Sequence, residues 1–249
     1  VLYFTMLALS LIGAGELYRA MKVREEKPFG LLELAGYISI ILYYVSLVLL
    51  FGAFQMMAVI LGLVILMFVY VFAYPRYHAH QVMAAFFGII YVGVMLACIY
   101  QTRMLPGGTF HVWLIFLCSW GCDTCAYCVG MLFGKHKMAP VLSPKKSVEG
   151  AVGGVVGAAL LTIIYGFLFR GSLHVDVPYI FMMAGICLAG ALISMVGDLA
   201  ASAIKRNFDI KDYGKLIPGH GGILDRFDSV MFTAPIIFCL TGNLLQLAI

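Results

Sequence analysis

The sequence predicts an all-α, polytopic transmembrane protein, and three observations carry that prediction. Charged residues are only 11% of the 249 and hydrophobic ones 63%, whereas soluble globular domains carry about 25% charged residues. Mean hydropathy is +1.02. Apolar runs of about 20 residues, the length a helix needs to cross a hydrocarbon core of roughly 30 Å, recur from end to end with short polar gaps. Lipid offers backbone groups no hydrogen-bond partner, so irregular chain belongs at the surface, inside protein or in a wet cavity. No separate soluble domain is expected.

In order, the runs are 1–17, 31–51, 54–74, 82–100, 110–133, 150–169, 179–203 and 229–248, which makes eight spans. Residue 1 is Val and the first run has no polar flank, so a preceding segment with a ninth span is expected in the full chain. Pro106, Gly107 and Gly108 break the chain between the fourth and fifth runs. The division follows as N-terminal helices 1–109 and a catalytic transmembrane region 110–249, one integral unit without an internal repeat.

Lys and Arg collect on cytoplasmic loops. The loops after spans one, three, five and seven hold Arg19, Lys22, Arg24, Lys27, Arg76, Lys135, Lys137, Lys145, Lys146, Lys205, Arg206, Lys211, Lys215 and Arg226. The other loops hold only Arg103 and Arg170. Alternation this strong supports the span count and puts the basic loops in the cytoplasm.

Seven cysteines (Cys98, Cys118, Cys122, Cys125, Cys128, Cys187 and Cys239) all fall in apolar runs, where they act as small hydrophobes rather than a disulfide framework. Cys122, Cys125 and Cys128 have C-x-x-C spacing, but packing at a helix interface is the ordinary reading. Gly150, Gly153, Gly154 and Gly157 repeat at helical spacing and predict close helix contact.

Ionisable groups inside spans cost at least about 2.5 to 3.5 kcal/mol at the centre, so each needs a partner or a purpose. Asp123 and Asp198 qualify, whereas Glu16 and Glu33 sit near span ends. On a helix Ser202 and Lys205 follow Asp198 at i+4 and i+7 and share its face. The polar stretch 202–229 then runs through Lys205, Arg206, Lys211 and Lys215 to Pro218-Gly219-His220-Gly221-Gly222 and Asp225-Arg226-Phe227-Asp228. Asp225 and Asp228 at i, i+3 either approach one cation or cap the helix, with Asp225 as N-cap. Asp198 as a third acid, among so many cations, tips the choice towards a Mg²⁺ site that handles phosphates. Mg²⁺ takes oxygen ligands, typically one or two carboxylates with waters and substrate phosphates. Attraction to anionic lipid explains the basic residues alone but leaves the acids unexplained.

A second basic loop reads Gly134-Lys135-His136-Lys137 and then Ser143-Pro144-Lys145-Lys146-Ser147-Val148-Glu149-Gly150. N–H groups at the start of the following helix, with Lys145 and Lys146 beside them, suit an anion. The segment 130–135 is one residue short of a P-loop and is followed by His136 rather than Ser or Thr. His78, His80, His111 and His174 read as ordinary interfacial histidines, while His220 in its Gly-rich turn is a functional candidate.

These residues resemble the phosphatidate cytidylyltransferases, or CDP-diacylglycerol synthases. The resemblance lies in Ser202-Ala203-Ile204-Lys205-Arg206, in Lys211-Asp212-Tyr213-Gly214, and in the stretch from Pro218 to Ser229. Further similarity lies in Gly197-Asp198, Asp123-Thr124-Cys125-Ala126-Tyr127, Gly130, Phe133-Gly134-Lys135 and the loop from Ser143 to Ser147 with Glu149-Gly150. It covers roughly the C-terminal half. The N-terminal half is similar only in hydropathy and in Glu16-Leu17-Tyr18-Arg19. Ser147 stands where the family most often has Thr.

The resemblance implies CTP and phosphatidic acid as substrates, with CDP-diacylglycerol and pyrophosphate as products. Asp198, Asp225 and Asp228 become the metal ligands, for Mg²⁺ alone or for Mg²⁺ with a second cation, and Asp123 a fourth catalytic acid. Ser143, Lys145, Lys146, Ser202, Lys205, Arg206, Lys211 and Arg226 become substrate contacts, and His220, Gly221 and Gly222 shape the nucleotide pocket. A homodimer in a bacterial-type inner membrane is implied, with membrane lipids around it, the site on the cytoplasmic side and no nucleic acid partner. The main alternative is a cation- or proton-coupled secondary transporter using Asp123 and Asp198, which predicts two similar halves. A polyprenol kinase and a CDP-alcohol phosphotransferase rank lower, the latter because its acids begin Asp-Gly rather than Gly-Asp. A structural membrane protein with a lipid-binding basic face leaves the acids without a role.

Overall fold

A computed structural model describes residues 1–23, 30–49, 54–173, 175–216, 219 and 221–247. Arg24, Glu25, Glu26 and Lys27 of the first charged loop, together with His174, Pro218 and the candidate His220, lie outside the described residues. Helices dominate, as the apolar runs predict: α1 (Leu2–Ala20), α2 (Leu31–Leu49), α3 (Gln55–Phe72), α4 (Ala79–Gly88), α5 (Met95–Met104), α6 (Gly108–Phe116), α7 (Cys122–Phe133), α8 (Val148–Leu168), α9 (Arg170–Leu173), α10 (Val177–Asn207) and α11 (Leu224–Leu247). The π-helical segment Ile89–Val94 joins α4 to α5, and a second, Leu117–Gly121, joins α6 to α7.

Among the described residues, six helical stretches are long and apolar enough to cross a membrane: Leu31–Leu49, Gln55–Phe72, Ala79–Met104, Gly108–Phe133, Val148–Leu168 and Val177–Asn207. They coincide with six of the eight expected runs. The first and last runs also form long helices, α1 and α11, which are not among those six.

The chain divides into two compact units, and each draws on two separate stretches of sequence. The first comprises Val1–Ala97 and Asn207–Arg226, so part of the polar stretch folds with the N-terminal helices. Its centre is Tyr18, fully buried, whose hydroxyl donates to the Ala85 carbonyl at 3.0 Å. Ser10 and Tyr44 share a second buried hydrogen bond at 2.8 Å, tying α1 to α2. Both polar contacts are satisfied away from lipid, as a membrane interior requires. Leu32, Ile40, Leu66 and Ile89 fill the space around them.

The second unit comprises Cys98–Arg206 and Phe227–Ile249. Here α7 and α8 lie close because the glycine stripe of α8 faces the small residues of α7. A Cβ at Gly157 would stand 2.6 Å from Cys125 Sγ, and one at Gly154 would stand 3.0 Å from Cys122 Sγ. Cys122 and Cys125 are therefore packing material, as expected, while Cys128 is exposed, and α10 is tied to both helices. Cys187 Sγ donates to the Ala158 carbonyl at 3.5 Å and Cys122 Sγ to the Ala191 carbonyl at 3.9 Å.

The second basic loop contains a small sheet. Strands β1 (Lys137–Ala139) and β2 (Ser143–Ser147) pair antiparallel, Lys137 opposite Ser147 and Ala139 opposite Ser143. Glu149 explains the order: its carboxylate accepts the backbone N–H groups of Lys135 at 3.1 Å and His136 at 3.2 Å and meets His136 Nδ1 at 2.6 Å. Ser147 caps α8, its Oγ accepting the Gly150 N–H at 3.1 Å. One donor of the expected anion site at that helix start is thus already used.

Candidate active site

The acids and bases of the second unit converge. Its helix α10 runs on to Asn207, so Ser202, Lys205 and Arg206 are helical rather than part of a loop, and Asp198 shares their helix. From β2, Lys146 reaches Asp198, its ammonium donating to Oδ2 in a half-buried ion pair. From α7, Asp123 is held by Ser229, whose Oγ donates to Oδ2 at 3.2 Å. Asp228, whose Oδ1 accepts the Ser229 N–H at 2.8 Å, feels the charges of Asp198, Asp123 and Lys205. Lys146 also acts on Asp123.

The physical result is a pocket of charge with three carboxylates and two ammonium groups, partly shielded from water. Like charges repel strongly where the local dielectric is low, and nearby cations or a shared proton relieve that repulsion. Lys146 and Lys205 supply two such cations. Among the described residues no three His, Cys, Asp or Glu side chains form a ready-made metal cage. The donor set nevertheless suits Mg²⁺, which needs only one or two protein carboxylates when water and phosphates complete its shell.

Other expected site residues of this unit stand nearer the surface. Ser143 and Ser202 are half-buried, and Lys145 and Arg206 are exposed. Among the described residues, no hydrogen bond or ion pair joins Ser143, Lys145 or Ser202 to the three acids.

In the first unit, Asp225 does something the sequence left open. It is not the N-cap of α11, because the helix begins one residue earlier, at Leu224. Instead its Oδ2 turns back to accept the Tyr213 N–H at 2.8 Å and the Gly222 N–H at 3.0 Å. Gly221 adopts φ +84° beside it, a left-handed conformation that suits glycine. Lys211 and Arg226 are exposed, while Gly222 is buried.

Sequence reasoning missed Glu16 and Ser229 as site-building residues. Glu16 was expected near a span end. It is buried, 5% exposed, and its carboxylate accepts the N–H groups of Ile223 at 3.1 Å and Leu224 at 2.9 Å. The available signal was a lone acid closing an apolar run, since a carboxylate there must find donors. Ser229 follows Asp228 directly, and only the fold shows that its hydroxyl serves Asp123.

Comparison with known proteins fits this chemistry. A Staphylococcus haemolyticus (strain JCSC1435) protein named phosphatidate cytidylyltransferase is 40% identical over 149 residues, 60% of this chain and 55% of that protein. Proteins of the same name from Staphylococcus aureus (strain COL) and Staphylococcus saprophyticus are 38% and 39% identical over the same extent. The matched stretch thus spans little more than half the length of these relatives. The profile described as the Cytidylyltransferase family matches residues 1–243. Nearly the whole chain, N-terminal helices included, is accounted for by that one match, and the chain belongs to the cytidylyltransferase family.

Proposed function

We propose that the chain acts in transfer of the cytidylyl group of CTP to phosphatidic acid, giving CDP-diacylglycerol and pyrophosphate. The observation that carries this reading is the cluster of Asp123, Asp198 and Asp228 with Lys146 and Lys205, in a chain of this family whose relatives bear that name. A transporter using Asp123 and Asp198 is not favoured, because the family and the paired lysines both point to phosphate chemistry.

A phosphate oxygen of phosphatidic acid attacks the α-phosphorus of CTP, the bond to the β-phosphate oxygen breaks, and pyrophosphate leaves. Phosphatidic acid is already anionic at neutral pH, so no strong base is needed. The barrier lies in bringing two polyanions together, and positioned cations lower it. Lys146 and Lys205 can serve the phosphates, with Lys145, Arg206, Lys211 and Arg226 as further contacts and Ser143 and Ser202 as hydroxyl donors. Ser229 orients Asp123. Mg²⁺ when bound supplies charge neutralisation at the nucleotide phosphates, with Asp198 and Asp228 as its oxygen ligands and Asp225 as the third member suggested by the sequence pattern. His220, Gly221 and Gly222 are assigned to the nucleotide pocket on that same pattern.

The full reading places eight spans in this chain, the site on the cytoplasmic face of a bacterial-type inner membrane, and a homodimer as the working form. The charge asymmetry of the loops supports the orientation. The test is direct: purified protein in liposomes receives CTP, phosphatidic acid and Mg²⁺, and pyrophosphate and lipid product are followed together. Both appear in equal amounts if the reading is right. A folded sample that yields neither refutes it.

A further inference from the structure

The start of α11 is filled by protein carboxylates. Three consecutive backbone N–H groups there are all taken: Gly222 by Asp225, and Ile223 and Leu224 by Glu16. The last two, at the N-cap Ile223 and the first helical residue Leu224, are donors of the kind that a helix start leaves without intrahelical partners and that elsewhere bind phosphate. Glu16 comes from α1, more than two hundred residues away in sequence. The surroundings are built around its head group. A Cβ at Gly214 would stand 2.7 Å from Glu16 Cδ, and one at Gly222 would meet both carboxylate oxygens. Gly13, one turn before Glu16 on α1, leaves room for Leu224, since a Cβ there would stand 3.1 Å from Leu224 Cδ2. Tyr213, Ile223 and Leu224 are themselves buried.

We infer that Glu16 is a positioning residue for the nucleotide-handling loop, setting the backbone at Gly222, Ile223 and Leu224 and the approach of Gly214 to it, and hence the presentation of Lys211 and Lys215. Its two oxygens each hold a different N–H, so both must be acceptors. Glutamine offers only one, and would bring an amide N–H₂ against a backbone N–H. The glycines at 214 and 222 are a consequence of the same device: they let backbone approach the carboxylate from two sides. This inference deepens the cytidylyl-transfer reading and rests on it for its kinetic part, but its structural part stands independently.

The experiment compares wild type with Glu16→Gln, and Gly222→Ala alone with Gly222→Ala combined with Glu16→Ala, all in the liposome preparation. In Glu16→Gln, amide hydrogen exchange of 213–224 is expected to rise about tenfold or more while α2 and α8 keep their protection. The apparent KM for CTP should rise about tenfold, with that for phosphatidic acid unchanged. Gly222→Ala should impair CTP use strongly in wild type and add little once Glu16 is alanine, because the clashing group has gone. Wild-type exchange in 213–224 of the Gln variant overturns the inference. So does an equal rise in both KM values, or a loss of protection throughout the protein. If wild type itself makes no CDP-diacylglycerol, the functional reading fails, and the exchange experiment still decides the role of Glu16.

Discussion

The acids around Leu224 and the acids around Lys146 are used in opposite ways. In the first group, Glu16 and Asp225 face backbone N–H groups, four of them at 2.8–3.1 Å. In the second group, Asp198 faces an ammonium, Asp123 a hydroxyl, and Asp228 the fields of two other acids and Lys205. A backbone donor cannot leave, so an acid that gathers two of them is committed to holding the chain. A lysine can swing to a phosphate, so an acid paired with one can exchange that partner for another cation. Both kinds look alike in sequence as acids inside or beside an apolar run, and their partners separate them.

That contrast can be broken by mutation. The largest effect is expected at Asp228: Asp228→Asn should lower kcat by about 100- to 1,000-fold, with the melting temperature in detergent nearly unchanged. A variant that melts early with normal turnover would move Asp228 into the structural class. Lys146→Ala leaves Asp198 without its ammonium and removes a phosphate contact, so a loss of about 100-fold in kcat/KM is expected, measured at saturating Mg²⁺. Asp225→Asn should cost about 10- to 100-fold, the range typical of residues that orient a site, and should also loosen 213–224 to proteolysis. A full loss with an intact loop would instead make Asp225 a member of the metal shell. The smallest effect is expected at exposed Lys145, where alanine should raise the KM for CTP or phosphatidic acid by about fivefold while kcat holds.

Much of this was legible in advance. Span positions, the glycine stripe of α8 and the packing role of Cys122 and Cys125 follow from hydropathy and residue size, which act locally along a helix. Asp123 and Asp198 were legible as acids inside spans, and Asp228 as one of an i, i+3 pair with Asp225. Which cation each would meet was not, because Lys146 reaches Asp198 from a strand 52 residues away. The hairpin was hidden for a similar reason, since its strands are short and polar and depend on Glu149 gathering two N–H groups. Asp225 was the hardest: i, i+3 spacing fits capping and metal binding equally well, and only the direction of its Oδ2 shows the loop contact. Glu16 was visible as an acid, but its partners lie at the far end of the chain.

The π-helical segment Leu117–Gly121 lies immediately ahead of Asp123. A π turn accommodates one more residue than an α turn, and each residue of an α-helix advances about 100° around its axis. Deleting one residue from this segment would let it relax to ordinary helix with the parts before and after it keeping nearly the same facing, whereas straightening it to α geometry at full length would swing everything beyond it by about that angle, carrying Asp123 away from Ser229. Composition and hydropathy would scarcely register the change. The wide turn is therefore a rotational setting, and losing it at unchanged chain length would displace the acid as surely as replacing it would remove it.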